Sequence, residues 1–150
     1  MKFTNSRSAM FSAVALAFAL TGCASTAPVL NNAPATTTVA FADGQVRSSG
    51  QFSGLSDHIT TGDVTIVEGT GGTQIILGEN FSLDGAPDPK VGLGKGGEYD
   101  PTTAVHALAS NTGEQVYLLP ASINVADYDE VYIWCGEFEV GLGVAALTAK

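Results

Sequence analysis

An all-β fold, an antiparallel β-sandwich of jelly-roll or barrel-like form, is predicted for this 150-residue chain by three observations. After position 38 the apolar residues alternate with period two rather than 3.6. The alternating runs are short and closed by Gly or Pro, and the stretches between them consist of turn residues. In DVTIVEG, Val64 and Ile66 fall on one face and Thr65 and Val67 on the other, between Gly62 and Gly69. TQIILG, EQVYLLP and EVYIWC repeat the pattern with β-branched and aromatic residues, which suit a pleated, half-buried surface. Between them stand EGTGG, LDGAPDP, GKGGEYDP and SNTGE, rich in the Gly, Pro, Asn and Asp that tight turns need. TTAVHALAS comes nearest to a helical pattern and is read as a strand. Several short strands with glycine-rich turns make a sandwich or barrel the expected architecture.

The first residues predict export. Met1–Ser8 carries Lys2 and Arg7, and the apolar run AMFSAVALAFAL that follows has the length of a signal peptide, too short for a permanent span. It ends in Leu20-Thr21-Gly22-Cys23, which resembles the bacterial lipobox, whose cysteine is lipid-modified and becomes the first mature residue. The expected organisation is a signal peptide over 1–22, a lipidated flexible linker over 23–37 and one β domain over 38–150. ASTAPVLNNAPATTT, uncharged and without apolar periodicity, supplies the linker. The resemblance implies a cell-envelope lipoprotein anchored through Cys23. Ala24, standing where Asp would favour inner-membrane retention, points to the outer membrane.

Charge excludes some partners. Without residues 1–22 the chain has four basic residues against fifteen acidic ones, a net charge of −11. Such a surface repels nucleic acid and anionic headgroups, so the lipid anchor is the expected membrane contact and no nucleic-acid partner is expected. CxxC, CxxCH, HExxH and GxSxG motifs are absent from the sequence, and no catalytic activity of its own is expected.

Cys135 is the one cysteine of the β region and follows the single tryptophan, Trp134. If its strand alternates without interruption, Tyr132, Trp134, Phe138 and Val140 share one face and Cys135 shares the other with Val131, Ile133, Glu137 and Glu139. If a bulge at Gly136 shifts the phase, Val131, Ile133 and Cys135 face the same core as Phe138 and Val140. The first arrangement makes the thiol reachable and the second makes it structural. The charges nearest in sequence, Asp127, Asp129, Glu130, Glu137 and Glu139, are all negative and disfavour a thiolate unless folding brings a cation. His58 and His106 are the two histidines, and Cys135 with His58 is a candidate pair for haem or copper. In LDGAPDP, Asp84 and Asp88 either cap turn N–H groups or hold calcium, although the spacing is not that of an EF-hand.

SGLSDHITTGDVTIVE, NFSLDGAPDPKVGLG, VYLLP and YDEVYIWCGEFEVGLGVAAL, in that order, resemble the DM13 domain, an extracellular β-sandwich module. The similarity spans Val46 to Leu147. Its hallmark cysteine corresponds to Cys135, with aspartates at 84 and 88. The resemblance implies electron transfer or redox modification with Cys135, Trp134 and Tyr132 as redox candidates. No redox module accompanies the domain within these residues, so the implied partner is a separate redox protein. GLGKGGEYDPTTAVHAL departs from the family pattern and leaves the pairing of its strand open. The alternative function is a non-catalytic surface module that binds protein or glycan through its acidic loops, with Cys135 filling the core.

Overall fold

Val64 and Ile66 point inward with Ile75 and Leu77 because strand side chains alternate, and all four are wholly buried. They belong to the first of two main sheets in the computed structural model, which describes residues 41–150. The expected signal peptide, the linker 23–37 and Cys23 lie outside the described residues.

In chain order the strands are β1 (Gln45–Gln51), β2 (Ser53–Gly54), β3 (Thr60–Thr61), β4 (Asp63–Gly69), β5 (Gly72–Leu77), β6 (Ser82–Leu83), β7 (Pro89–Lys95), β8 (Glu98–Tyr99), β9 (His106–Ala107), β10 (Gln115–Leu118), β11 (Glu130–Cys135), β12 (Val140–Ala146) and β13 (Thr148–Ala149). Two short 3-10 helices, Pro101–Thr103 and Val125–Asp127, are the helical elements among the described residues. The first sheet has the order β10-β5-β4-β1-β13. The second has the order β2-β12-β11-β7-β8, with β9 also on β7, and β3 and β6 form a small ladder of their own. Every pairing is antiparallel. The expected antiparallel sandwich is therefore present, as open sheets rather than a closed barrel.

One core joins the two sheets. Val64, Ile66, Ile75 and Leu77 meet Val91, Leu93, Val131, Ile133, Leu142 and Ala145 of the second sheet. Burying each such side chain is worth roughly 1.5–3 kcal/mol, so this interface outweighs the individual turns in holding the sheets together.

The expected strand over TTAVHALAS is replaced at its start. Pro101 opens a 3-10 turn whose N-cap is Asp100, its carboxylate accepting from the Thr102 N–H at 2.9 Å. The buried Thr103 hydroxyl then accepts from the Leu93 N–H at 2.7 Å, tying this turn to β7. Only His106 and Ala107 continue as strand β9. The unresolved pairing of GLGKGGEYDP proves to be a hairpin, with Gly94 opposite Tyr99 and Lys95 opposite Glu98.

Neither anticipated phase of the Cys135 strand is fully correct. The strand stops at Cys135, residues 136–139 form a turn, and β12 resumes at Val140. Val131, Ile133 and Cys135 face the core and Val140 packs against it, whereas Phe138 stands 63% exposed in the turn. The bulge lies instead on β12: Ile133 pairs with Gly143 and Trp134 with Gly141, leaving Leu142 as the extra residue. That insertion turns Leu142 inward, where it is completely buried.

Candidate functional site

The loop between β6 and β7 lies over the end of β11 because its backbone and carboxylates are tied down at both ends. At its start, the His58 Nδ1–H donates to Asp84 Oδ1 at 2.8 Å, and the Ile59 N–H donates to Asp84 Oδ2 at 3.0 Å. These bonds hold the Asp84 carboxyl below the usual carboxylate range, the His58 hydrogen bond first and the Ile59 N–H second. At its far end, the Gly136 N–H donates to the Asp88 carbonyl oxygen at 3.0 Å, and Lys90 Nζ pairs with Asp88 Oδ2 at 3.0 Å. Between these anchors the Cys135 thiol donates to the Pro87 carbonyl oxygen, with Sγ and O 3.0 Å apart.

Cys135 is 1% exposed, and the residue bonded to it, Pro87, is itself on the surface. The thiol thus sits one loop's thickness from solvent. The cation that folding brings to this region is Lys90, which neither histidine reading anticipated. Its ammonium and the Asp88 carboxylate occupy the space a side chain at Gly136 would need, with 2.6 Å and 2.3 Å to a built Cβ.

Tyr132 and Trp134 project from the opposite face of β11. Trp134 stacks on Tyr99 with centroids 4.4 Å apart and planes at 13°, and Tyr99 meets Tyr132 at 5.7 Å. Sequence reasoning missed Tyr99. Its signal was VGLG in β7: Val91 and Leu93 go to the core, leaving Gly92 and Gly94 on the outer face as a floor without side chains. A Cβ at Gly92 would lie 2.7 Å from Tyr99 Cε2, and one at Gly94 would lie 2.3 Å from Tyr132 Cε2. Burial, then the Asp100 charge, pushes the Tyr99 phenol up, and burial, then Glu130, pushes Tyr132 up. The Tyr132 hydroxyl donates to Glu130 Oε2 at 3.4 Å, whereas the buried Tyr99 hydroxyl has no hydrogen-bond partner among the described residues. Burial and the Glu130 charge therefore keep the Tyr132 phenol protonated, and Tyr99 serves as a stacking surface.

The candidate metal and haem ligands are distributed among separate partners. His58 is bonded to Asp84, Cys135 to Pro87 and Asp88 to Lys90. His106 stacks on Tyr117 at 5.7 Å and lies 3.3 Å from the Leu118 carbonyl oxygen. Among the described residues, no three His, Cys, Asp or Glu side chains converge to hold a metal ion. The N–H that Asp84 caps, that of Ile59, lies 25 residues away in sequence and outside the LDGAPDP turn.

Asp84 also predicts a pH response. Because its folded pKa is depressed, its contribution to stability is complete above the ordinary carboxylate pKa of about 4 and is lost as pH falls through the folded value. Urea midpoints measured from pH 7 downward should show a shallower acid decline for Asp84→Asn than for the parent chain. Parallel declines would mean that the carboxylate is not held by His58 and Ile59 in solution.

Buried thiol, covering loop and aromatic face together define an all-β module with one enclosed, loop-covered cysteine. A family model described as electron transfer DM13 matches residues 51–147, which include Cys135, Trp134, Tyr132, His58, Asp84 and Asp88. The chain belongs to the electron transfer DM13 family. Neither a curated protein nor a solved structure matches it.

Proposed function

We propose that this chain is a lipid-anchored electron-transfer accessory of the bacterial cell envelope, in which Cys135 exchanges electrons with a separate redox protein. The observation that carries the reading is the position of the Cys135 thiol, bonded to the carbonyl of the exposed residue Pro87 in the loop that covers it. Family membership points the same way. In the exchange, the Cys135 sulfur loses its proton and attacks a disulfide of the partner. A new S–S bond forms to one partner sulfur, and the other leaves as a thiolate that takes up a proton. A separate dithiol reductant then attacks the Cys135 sulfur with its first thiol, releasing the partner with both sulfurs reduced. Its second thiol displaces the Cys135 thiolate, which takes up a proton, so that two electrons pass from the dithiol to the partner's disulfide. Anchoring through Cys23, at the outer membrane, keeps the domain at the envelope surface.

Cys135→Ser tests the thiol. It should abolish covalent trapping of a thiol–disulfide partner while costing only about 1–3 kcal/mol of stability, since a serine hydroxyl can still donate to Pro87. Unchanged trapping would remove the redox reading. The intact mass of membrane-extracted protein tests the anchor: acyl chains on an N-terminal Cys23 support it, and an unmodified Cys23 rejects it.

The 1% exposure of Cys135 favours a second reading, a non-catalytic binding module for protein or glycan in which the cysteine only fills the core. Under it, Cys135→Ser changes stability and nothing else.

A further inference from the structure

We propose that the end of the sandwich covering Cys135 is a docking surface for a protein whose contact face is basic with an apolar centre. Three loops meet there. Residues 55–59 are joined to the β6–β7 loop by His58 and the Ile59 N–H on Asp84, and the β11–β12 turn is joined to the same loop by the Gly136 N–H on the Asp88 carbonyl. Asp84 and Asp88 are separated by at most about 14 Å of extended chain, so Ile59 and Phe138 flank one short loop. Ile59 is 68% exposed and Phe138 63%, more than any other large apolar side chain described. Nothing in their own turns shields them.

The backbone at this end is also under strain. Ser56, Asp57, Asp88 and Glu139 have φ between 47° and 64°, and they are the non-glycine residues with positive φ among those described. All four lie in these three loops. Such conformations cost about 1–3 kcal/mol each and persist where the surroundings impose them.

Charge selects the occupant. Asp57, Asp84, Asp88, Glu137 and Glu139 lie in the same three loops as the apolar pair, with His58 paired to Asp84 and Lys90 to Asp88. A second copy docking by the same face would set these carboxylates against their equivalents. An anionic bilayer is repelled, and the two glutamates beside Phe138 oppose its insertion. A protein with lysines or arginines around an apolar centre satisfies both the rim and the two exposed side chains. The proposal rests on the redox reading only in naming the partner's role, because docking here would bring a redox protein against the loop over Cys135.

The test is a titration of the 15N-labelled full chain with ferrous cytochrome c, a small protein whose exposed haem edge is ringed by lysines. Amide shifts should concentrate in residues 55–59, 84–90 and 136–140, and binding should weaken as ionic strength rises. Ile59→Ser with Phe138→Ser, which keeps the charge, should raise Kd about tenfold or more. Val46→Ser with Leu118→Ser, at the other exposed apolar positions, should leave Kd unchanged. Shifts scattered over the acidic surface, or equal effects of the two double variants in chains with native-like spectra, would overturn the proposal. Cys135→Ser should bind as the parent does, so the two ideas fail separately. Intact docking without thiol exchange removes only the redox reading, and intact exchange without localised shifts removes only the docking surface.

Discussion

In the folded full chain, Cys135 will react with iodoacetamide at least about a hundredfold more slowly than in the urea-unfolded chain, with peptide mapping separating it from Cys23. The factor corresponds to an opening free energy of about 3 kcal/mol. The cause is local: Cys135 is 1% exposed and its thiol donates to the Pro87 carbonyl, so reagent reaches it only when the β6–β7 loop lifts. Asp84→Ala removes the bonds to His58 and to the Ile59 N–H that anchor that loop. This variant should therefore react several-fold faster at Cys135 while its urea midpoint moves little. Acceleration without global destabilisation identifies loop opening as the route to the thiol. Equal rates in the parent and in Asp84→Ala would mean that only global unfolding exposes Cys135, which favours the binding-module reading. A parent chain that reacts as fast folded as unfolded would contradict the enclosed geometry.

Gly94→Ala should be the most damaging single-methyl substitution on the aromatic face, costing about 3 kcal/mol and lowering Tm by more than about 10 °C. Its Cβ would lie 2.3 Å from Tyr132 Cε2 and 2.6 Å from the Glu98 carbonyl oxygen. The ring is held between Tyr99 and the sheet, and the carbonyl belongs to the β7–β8 hairpin, so no side-chain rotation relieves both contacts. Gly92→Ala should cost less, because its nearest contact is the Tyr99 ring edge at 2.7 Å and that ring faces the partly exposed Trp134. Trp134 is the single tryptophan, and its emission should shift to the red in both variants as the stack with Tyr99 loosens. Thermal melts that place the two variants in the opposite order, or both near the parent, would show that the glycine floor does not position the rings.

Much of this fold was legible because its information is local. Period-two runs such as DVTIVEG and EVYIWC bury alternate residues whatever they pack against, so strand identity and inward faces followed directly. The strand reading of TTAVHALAS overlooked how strongly Asp100 and Pro101 favour a capped turn. The anticipated phase around Gly136 failed for a different reason. Whether a strand continues, bulges or turns after Cys135 depends on its partner, and the irregularity resides in β12, at Leu142. Tyr99 escaped notice since an aromatic residue in a glycine-rich hairpin looks like a loop residue until Gly92 and Gly94 are seen to make room for it.

By itself the sequence determined the all-β class, the alternation that fills the core, the acidic charge and the set of residues shared with the DM13 family. Each depends on composition or on neighbours within a strand. Only the tertiary structure decided that Cys135 lies enclosed, that the Pro87 carbonyl accepts its hydrogen bond, that Asp84 and Asp88 anchor the loop above it, and that Ile59 and Phe138 flank one acidic end. Those are contacts between segments tens of residues apart, such as Pro87 and Cys135 at a separation of 48. Sheet pairing and loop closure create them, and no local pattern encodes which distant atoms will meet.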